Sequence, residues 1–256
     1  MKSWLLASSF IALLFVPTLS IAQAGQAPLK VGFGYHNAPP YAFISGGTLE
    51  KGIIHDIAVA LGNDAALPVV FQETPRVRLS DHLHQGEVDM SCIANPAWFD
   101  SPDQFVWSGP LFSEQDRLYG RIEDKREVNE VGDLQLMRLG SIRGFHYPLL
   151  NALIDTHNVQ LSNAAAHAEN FDALSQERLD FVIADNITTS YLQHASGKTL
   201  FKTHPLKISE HEIHCVFSAK SNHEPKRLAM LLDELAKRGE IERILQRYIG
   251  GVPGGR

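Results

Sequence analysis

From residue 29 onward, short apolar runs alternate with segments whose apolar positions recur at helical spacing. LKVGFGY (29–35) predicts a strand, and the Pro/Gly-rich stretch from His36 to Gly47 predicts a loop. IIHDIAVAL (53–61) places its apolar residues on one helical face and predicts a helix stopped at Gly62. PVVFQET (68–74) reads as a second strand, RLSDHLHQG (78–86) as a short helix closed by glycine, and VDMSCIA (88–94) as a third strand. A β-α-β-α-β series of this kind packs as a mostly parallel sheet covered by helices.

The pattern then restarts. RLYGRI (117–122) predicts a strand, EDKREVNEVGD a charged connection, and LMRLGSIRG (136–144) a strand ending in a glycine turn. A helix is expected from Tyr147 to Thr156, followed by a strand (159–165), a helix (168–179), a strand at DFVIAD (180–185) and a helix (187–195). HEIHCVFSAK (211–220) predicts one more strand. PKRLAMLLDELAKRGEIERILQRYI (225–249) predicts a strongly amphipathic helical region broken at Gly239. Two similar α/β units in tandem imply two lobes.

Between the units lies NPAWFDSPDQFVWSGPLF (95–112), with Trp98, Phe99, Trp107 and Phe112 among Pro96, Pro102 and Pro110. The prolines rule out a buried helix, and a plain surface loop would not carry two tryptophans. Trp98 is therefore read either as one wall of a cleft or as ordinary packing under the loop.

The first residues change the picture of where the protein works. Lys2, an apolar stretch and Ala22-Gln23-Ala24 form a charged start, a hydrophobic segment and a small-x-small cleavage site, which is a secretory signal peptide pattern. Pro17 and Ser20 interrupt the apolar run, which falls short of the roughly 20 residues needed to span a bilayer. Cleavage after Ala24 would export the remaining chain to the periplasm, with length for one large domain or two small lobes. The formal net charge is −6, with basic residues scattered among acids, so the basic stripe needed by a nucleic-acid binder is missing.

Cys92 and Cys215 would enter an oxidising compartment. Either they pair or both are buried thiols; the sequence does not supply the Cα distance a disulfide requires. His82-x-His84 and His211-x-x-His214 have spacings that metal ligands use, but they read as surface or satisfied histidines. On a strand, alternation would put His211 and His214 on opposite faces. No metal and no cofactor is expected.

Taken in order, VGFGYHNAPPYAF, KGIIHDIAVAL, LHQGEVDMSCIA, FVWSGPLF, LGSIRG, RLDFVIADNITTSYL and GEIERILQRYIGG resemble the type II periplasmic solute-binding proteins of family 3. The match runs over nearly all of the exported chain. It implies an α/β, two-lobed periplasmic binding protein type II fold, with mixed, mostly parallel sheets joined by two hinge crossover strands. The implied organisation is a signal peptide at 1–24, the first part of lobe 1 at 25–112, lobe 2 at 113–211, and a return crossover with C-terminal helices at 212–256. The implied activity is capture of a small polar solute, an amino acid or a similar molecule, by hinge closure. The implied partner is an inner-membrane ABC permease, served by a monomer.

One departure from the family pattern matters. The family's Thr-Pro-x-Arg is matched here by Asn95-Pro96-Ala97-Trp98, so tryptophan stands where an arginine clamps the ligand carboxylate. An indole offers one donor and no charge. Arg76, near the start of the second helix, and Arg143, in the turn before a lobe 2 helix, are the candidates to supply that charge. Asp185 matches the acid that receives the ligand ammonium, although an aspartate there also caps a helix. Tyr35 and Tyr41, with Phe43, would flank the ligand from the first loop, and His146 shares the Arg143 turn.

Two other functions share this fold. A cyclohexadienyl-dehydratase-like enzyme would need a general acid and several cations around its substrate, and neither Glu73 nor Glu114 shows a pairing in the sequence that marks such an acid. A ligand-sensing receptor would have to act in trans on a membrane kinase.

Overall fold

The structure, a computed structural model, describes residues 26–250; the expected leader at 1–24 lies outside the described residues. The chain runs through β1 (Leu29–Phe33), a hairpin of β2 (Phe43–Ser45) and β3 (Thr48–Lys51), α1 (Ile53–Ala65), β4 (Val69–Glu73), α2 (Arg76–Gln85) and β5 (Met90–Ala94). It continues through β6 (Phe105–Trp107), β7 (Phe112–Gly120), β8 (Arg138–Ile142), α3 (Asn151–Asp155), β9 (Gln160–Ala164) and α4 (His167–Ser175). The last elements are β10 (Phe181–Asp185), α5 (Asn186–Ser196), β11 (Lys202–Ser218), α6 (Pro225–Lys237) and α7 (Glu240–Ile249).

Each lobe is built on a sheet. In the first, β4, β1 and β5 are parallel, and β5 pairs antiparallel with the C-terminal half of β11, which also carries β6. In the second, β9, β8 and β10 are parallel, and β10 pairs antiparallel with β7. The N-terminal half of β11 lies antiparallel to β7 from Lys202 to Ile213. The long strands β7 and β11 thus join the two lobes. The expected boundary at 211/212 falls within β11.

Apolar faces follow the predicted periodicity. Ile53, Ile54, Ile57, Ala58 and Leu61 of α1 pack with Leu228, Leu232, Ile241 and Ile244 of the C-terminal helices over β1 and β5. Leu139, Phe181 and Ile183 centre the core on one face of the second sheet, and Val182 and Ala184 face Phe171 and Leu174 on the other. Helix α1 runs past Gly62 to Ala65. Gly62 is a contact and not a stop, because a Cβ there would sit 2.4 Å from Val69 Cγ2. The C-terminal helix is broken at Gly239, as expected.

Gly52 positions a residue of the cleft. It precedes α1 with φ 130°, and a Cβ would lie 2.4 Å from the Tyr41 carbonyl oxygen. Only glycine allows that approach. The first turn of α1 is therefore satisfied by the preceding loop: Ile53 N–H donates to the Pro40 carbonyl and Ile54 N–H to that of Tyr41, both at 3.0 Å. The Tyr41 backbone is held by a helix end.

Cys92 and Cys215 are neighbours across the antiparallel pair of β5 and β11 and form a disulfide. The strand alternation of β11 separates the histidines as expected. His211 packs edge-on against Trp98, while His214 bonds the Ser108 carbonyl and packs against Trp107.

Candidate functional site

A cavity of about 230 Å³ lies between the lobes. Tyr41, Arg76, Ile93 and Trp98 line it from the first lobe; the turn Gly144–Tyr147, His167, Asp185 and Thr188 line it from the second; Glu114, Asp116 and His211 come from the joining strands. Arg76, His167, Asp185 and Thr188 sit at strand ends and helix starts, where a parallel sheet presents backbone donors and converging side chains.

On the first side, the Arg76 guanidinium lies over the Trp98 indole, 5.6 Å from the ring centroid. Among the described residues no carboxylate raises its affinity for protons, and burial lowers it. Nearby His36 is pushed down to about 4 by its own burial and then by Arg76, so at neutral pH its imidazole is uncharged. Arg76 is therefore the fixed positive charge of this wall.

The other side is acidic. The Tyr41 hydroxyl lies within hydrogen-bond reach of Glu114 Oε2 and, at 2.9 Å, of Asp185 Oδ1. Asp185 is the N-cap of α5: its Oδ1 accepts the Thr188 N–H at 2.6 Å. His167 Nε2 approaches the other oxygen at 3.6 Å, while its Nδ1 is buried with no partner. Asp116 accepts the Ser209 hydroxyl and is pushed up to about 6, by burial first and then by Asp185. Burial, with Asp185 nearby, also raises Glu114 well above the usual carboxylate range. Burial lowers His167 despite both aspartates, and it raises the Tyr147 hydroxyl.

Of the residues singled out in the sequence, Tyr41, Arg76, Trp98, His146 and Asp185 all line the cavity. Tyr35 and Arg143 do not. Tyr35 is 64% exposed, and both residues border an adjoining groove that opens beside His36 and Arg76. Arg143 is held in that turn by its backbone N–H, which donates to the Ala164 carbonyl at the end of β9. Phe43 packs on Tyr191 and Tyr248, away from the cavity. Asp116 and His167 join the site without having been singled out, and Glu114 and His211, weighed in the sequence only as a catalytic acid and a surface histidine, line it too. A pairing for Glu114 does exist, with Tyr41, but the two are separated by 73 positions. The available clue is two acids alternating on a strand, Glu114-x-Asp116, which puts both on one face.

Two lobes, two joining strands and a lined cleft between them define the class: this is the two-lobed type II fold of periplasmic amino-acid-binding proteins. The chain is similar to the GluR0 ligand-binding core in complex with L-glutamate, at a TM-score of 0.71 and 18% identity, covering 88% of this chain and 100% of that one. It is similar to an ancestral arginine-binding protein bound to arginine, at 0.67 and 19% identity, covering 87% and 98%. A third similar structure is the ancestral amino acid-binding protein AncCDT-1, a precursor of cyclohexadienyl dehydratase, at 0.66 and 15% identity, covering 87% and 95%. No protein-family model and no curated protein matches the sequence. Among the described residues, no helix is long and apolar enough to cross a membrane.

Proposed function

We propose that the protein captures a small solute bearing both a cationic group and a carboxylate, an amino acid or a close derivative, and releases it to an inner-membrane ABC permease. One observation carries this reading: a single cavity is lined both by Arg76, a cation without a carboxylate partner among the described residues, and by the Glu114–Tyr41–Asp185 cluster. An unpaired charge buried with a ligand costs several kcal/mol, on the order of 3–5, so a site with both signs selects a ligand with both. Arg76 takes over the carboxylate from the position that Trp98 fills, and Asp185 receives the ammonium. Closure of the lobes about β7 and β11 would remove both pairs from water. The leader pattern at the N-terminus supports a periplasmic location.

Supply of solute to a permease and presentation of it to a membrane receptor use the same cleft; the resemblance to transport receptors favours the first. The dehydratase alternative is opposed by charge. Its substrates are acids that need several cations, and here three carboxyl groups share the cavity with one arginine.

Thermal-shift screening against amino acids, amines and small carboxylates tests the proposal. A true ligand at a hundredfold excess over Kd stabilises the folded state by about 2.7 kcal/mol. Failure of every candidate to raise Tm, with scattering curves unchanged by each, rejects it.

A further inference from the structure

We propose that Glu114 is a cation-binding residue of the cleft, that it holds a proton while the cleft is empty, and that an incoming cation displaces that proton. The inference deepens the proposed solute-binding reading and rests on it.

Tyr41 has a single O–H, yet its oxygen lies in hydrogen-bond contact with two carboxyl groups, those of Glu114 and Asp185. It can donate to only one of them. The other contact is a hydrogen bond only if that carboxyl carries a proton and donates it to the phenol oxygen. Asp185 already accepts the Thr188 N–H with the oxygen that faces Tyr41. Glu114 has no other hydrogen-bonding side chain or backbone group against it; Tyr41 is its one partner among the described residues. The arrangement that makes both contacts hydrogen bonds and leaves Asp185 an acceptor has Tyr41 donating to Asp185 and Glu114 donating to Tyr41.

The surroundings agree. Asp116 lies on the same strand, and Asp185 reaches in from the end of β10, so an ionised Glu114 would meet like charge from two elements. The facing cations do not offset this. His211, paired in register with Glu114 across β7 and β11, and His167, from the start of α4, are both lowered by burial. Arg76 and His36 line the cavity from the first lobe, Arg76 is not among the groups that act on Glu114, and His146 and Tyr147 line it from the second. His167 lines the cavity and approaches Asp185 through Nε2, and its Nδ1 is buried without a partner among the described residues, so no bonded acid holds that ring as a cation.

When a primary ammonium or guanidinium enters, it supplies the charge that the proton had been supplying. Glu114 passes its proton to water, its carboxylate binds the cation, and Tyr41 keeps its donation to Asp185. One proton leaves for each cation bound. The bound complex thus prefers ionised Glu114, and the empty protein prefers the neutral acid. Affinity therefore rises with pH, by up to about tenfold per unit, until Glu114 of the empty protein itself ionises.

The test follows the side-chain carboxyl carbons of 13C-labelled glutamate by NMR, with L-arginine, L-lysine and methylammonium as probes. In the empty protein one resonance should remain at the protonated position at neutral pH and be missing from the spectrum of Glu114→Gln. Adding a probe at constant pH should move it to the ionised position, and the pH slope of Kd should vanish in Glu114→Gln. If every glutamate is already ionised in the empty parent protein, the proposal is wrong, whether or not the variant folds. A probe that raises Tm yet leaves the resonance protonated also overturns it while leaving the receptor reading intact. No stabilisation and no movement with any solute sinks both.

Discussion

Arg76 Cζ lies 5.6 Å from the centroid of the Trp98 indole, so an aromatic face supports the arginine that begins α2. The pair puts one positive charge and one aromatic wall side by side in the cleft. Trp98 also packs edge-on with His211, 5.3 Å between centroids.

Removing the charge should cost ligand affinity without unfolding the protein. Arg76→Ala is expected to weaken binding of a carboxylate-bearing solute by about 2–3 kcal/mol, roughly 30- to 150-fold in Kd, since hydrogen bonds to charged groups are worth that much. Arg76→Lys should restore only part, because an ammonium lacks the planar fork. Arg143→Ala, in the adjoining groove, should change Kd by less than about 0.5 kcal/mol. Calorimetric titration separates the three.

The tryptophan face should matter through Arg76. Trp98→Ala removes the stacked support and is expected to cost about 0.5–2 kcal/mol of ligand affinity. Trp98→Arg, which restores the family residue, would place a second guanidinium beside Arg76 and should lower the Tm of the empty protein. An increase in Tm would contradict the packing described above.

Asp185 has two roles that substitution can separate. Asparagine is as good a helix cap as aspartate, so Asp185→Asn should leave Tm close to that of the parent while abolishing cation binding. Asp185→Ala removes the cap as well, at about 1 kcal/mol of stability. Paired thermal melts and binding titrations distinguish the cap from the ligand contact.

The cleft acids should oppose folding at neutral pH. Asp116 rises from 3.8 to about 6 on folding. A raised folded-state value means its contribution to stability is fully present below the unfolded value and is lost as pH rises through about 6. Asp116→Asn should therefore stabilise the empty protein at about pH 7 and have little effect near pH ~4. Asp124 has the opposite sign: its hydrogen bond from Arg126 holds it down to about 2, so its contribution is present above 3.8 and is lost as pH falls toward about 2. Chemical denaturation across this range reads both effects.

The Cys92–Cys215 bond closes a sequence separation of 123 residues and ties β5 to β11 next to the point where β11 leaves for the second lobe. Cys92→Ala with Cys215→Ala is expected to lower stability by about 2–5 kcal/mol. Denaturant midpoints with and without reductant check this in the parent protein.

Most of the scaffold is legible along the chain, because periodicity is local. The apolar spacing of α1, the run FVIAD of β10 and the break at Gly239 each follow from neighbouring residues. What escapes is polar. The N-terminal half of β11, KTHPLKISE, carries charges and Pro205 and shows no clean alternation, yet it is a strand because β7 lies beside it. The hairpin of β2 and β3 begins inside a stretch whose composition predicts loop, and it too becomes strand only through pairing.

The candidate site divides along the same line. Asp185 at a strand end and Arg76 near a helix start could be named only because the segments around them resemble a family's motifs. Hydrogen-bond partners could not be named. Tyr41 and Asp185 are 144 positions apart, and Glu114 gains its neighbours only where a joining strand passes between the lobes. Which carboxyl shares a proton, and which arginine is left without a partner, depends on distances that folding creates between remote segments. Solvent exclusion then decides the charge of each group. Local sequence encodes propensity and phase; electrostatics at a shared cavity exists only after the chain has closed around it.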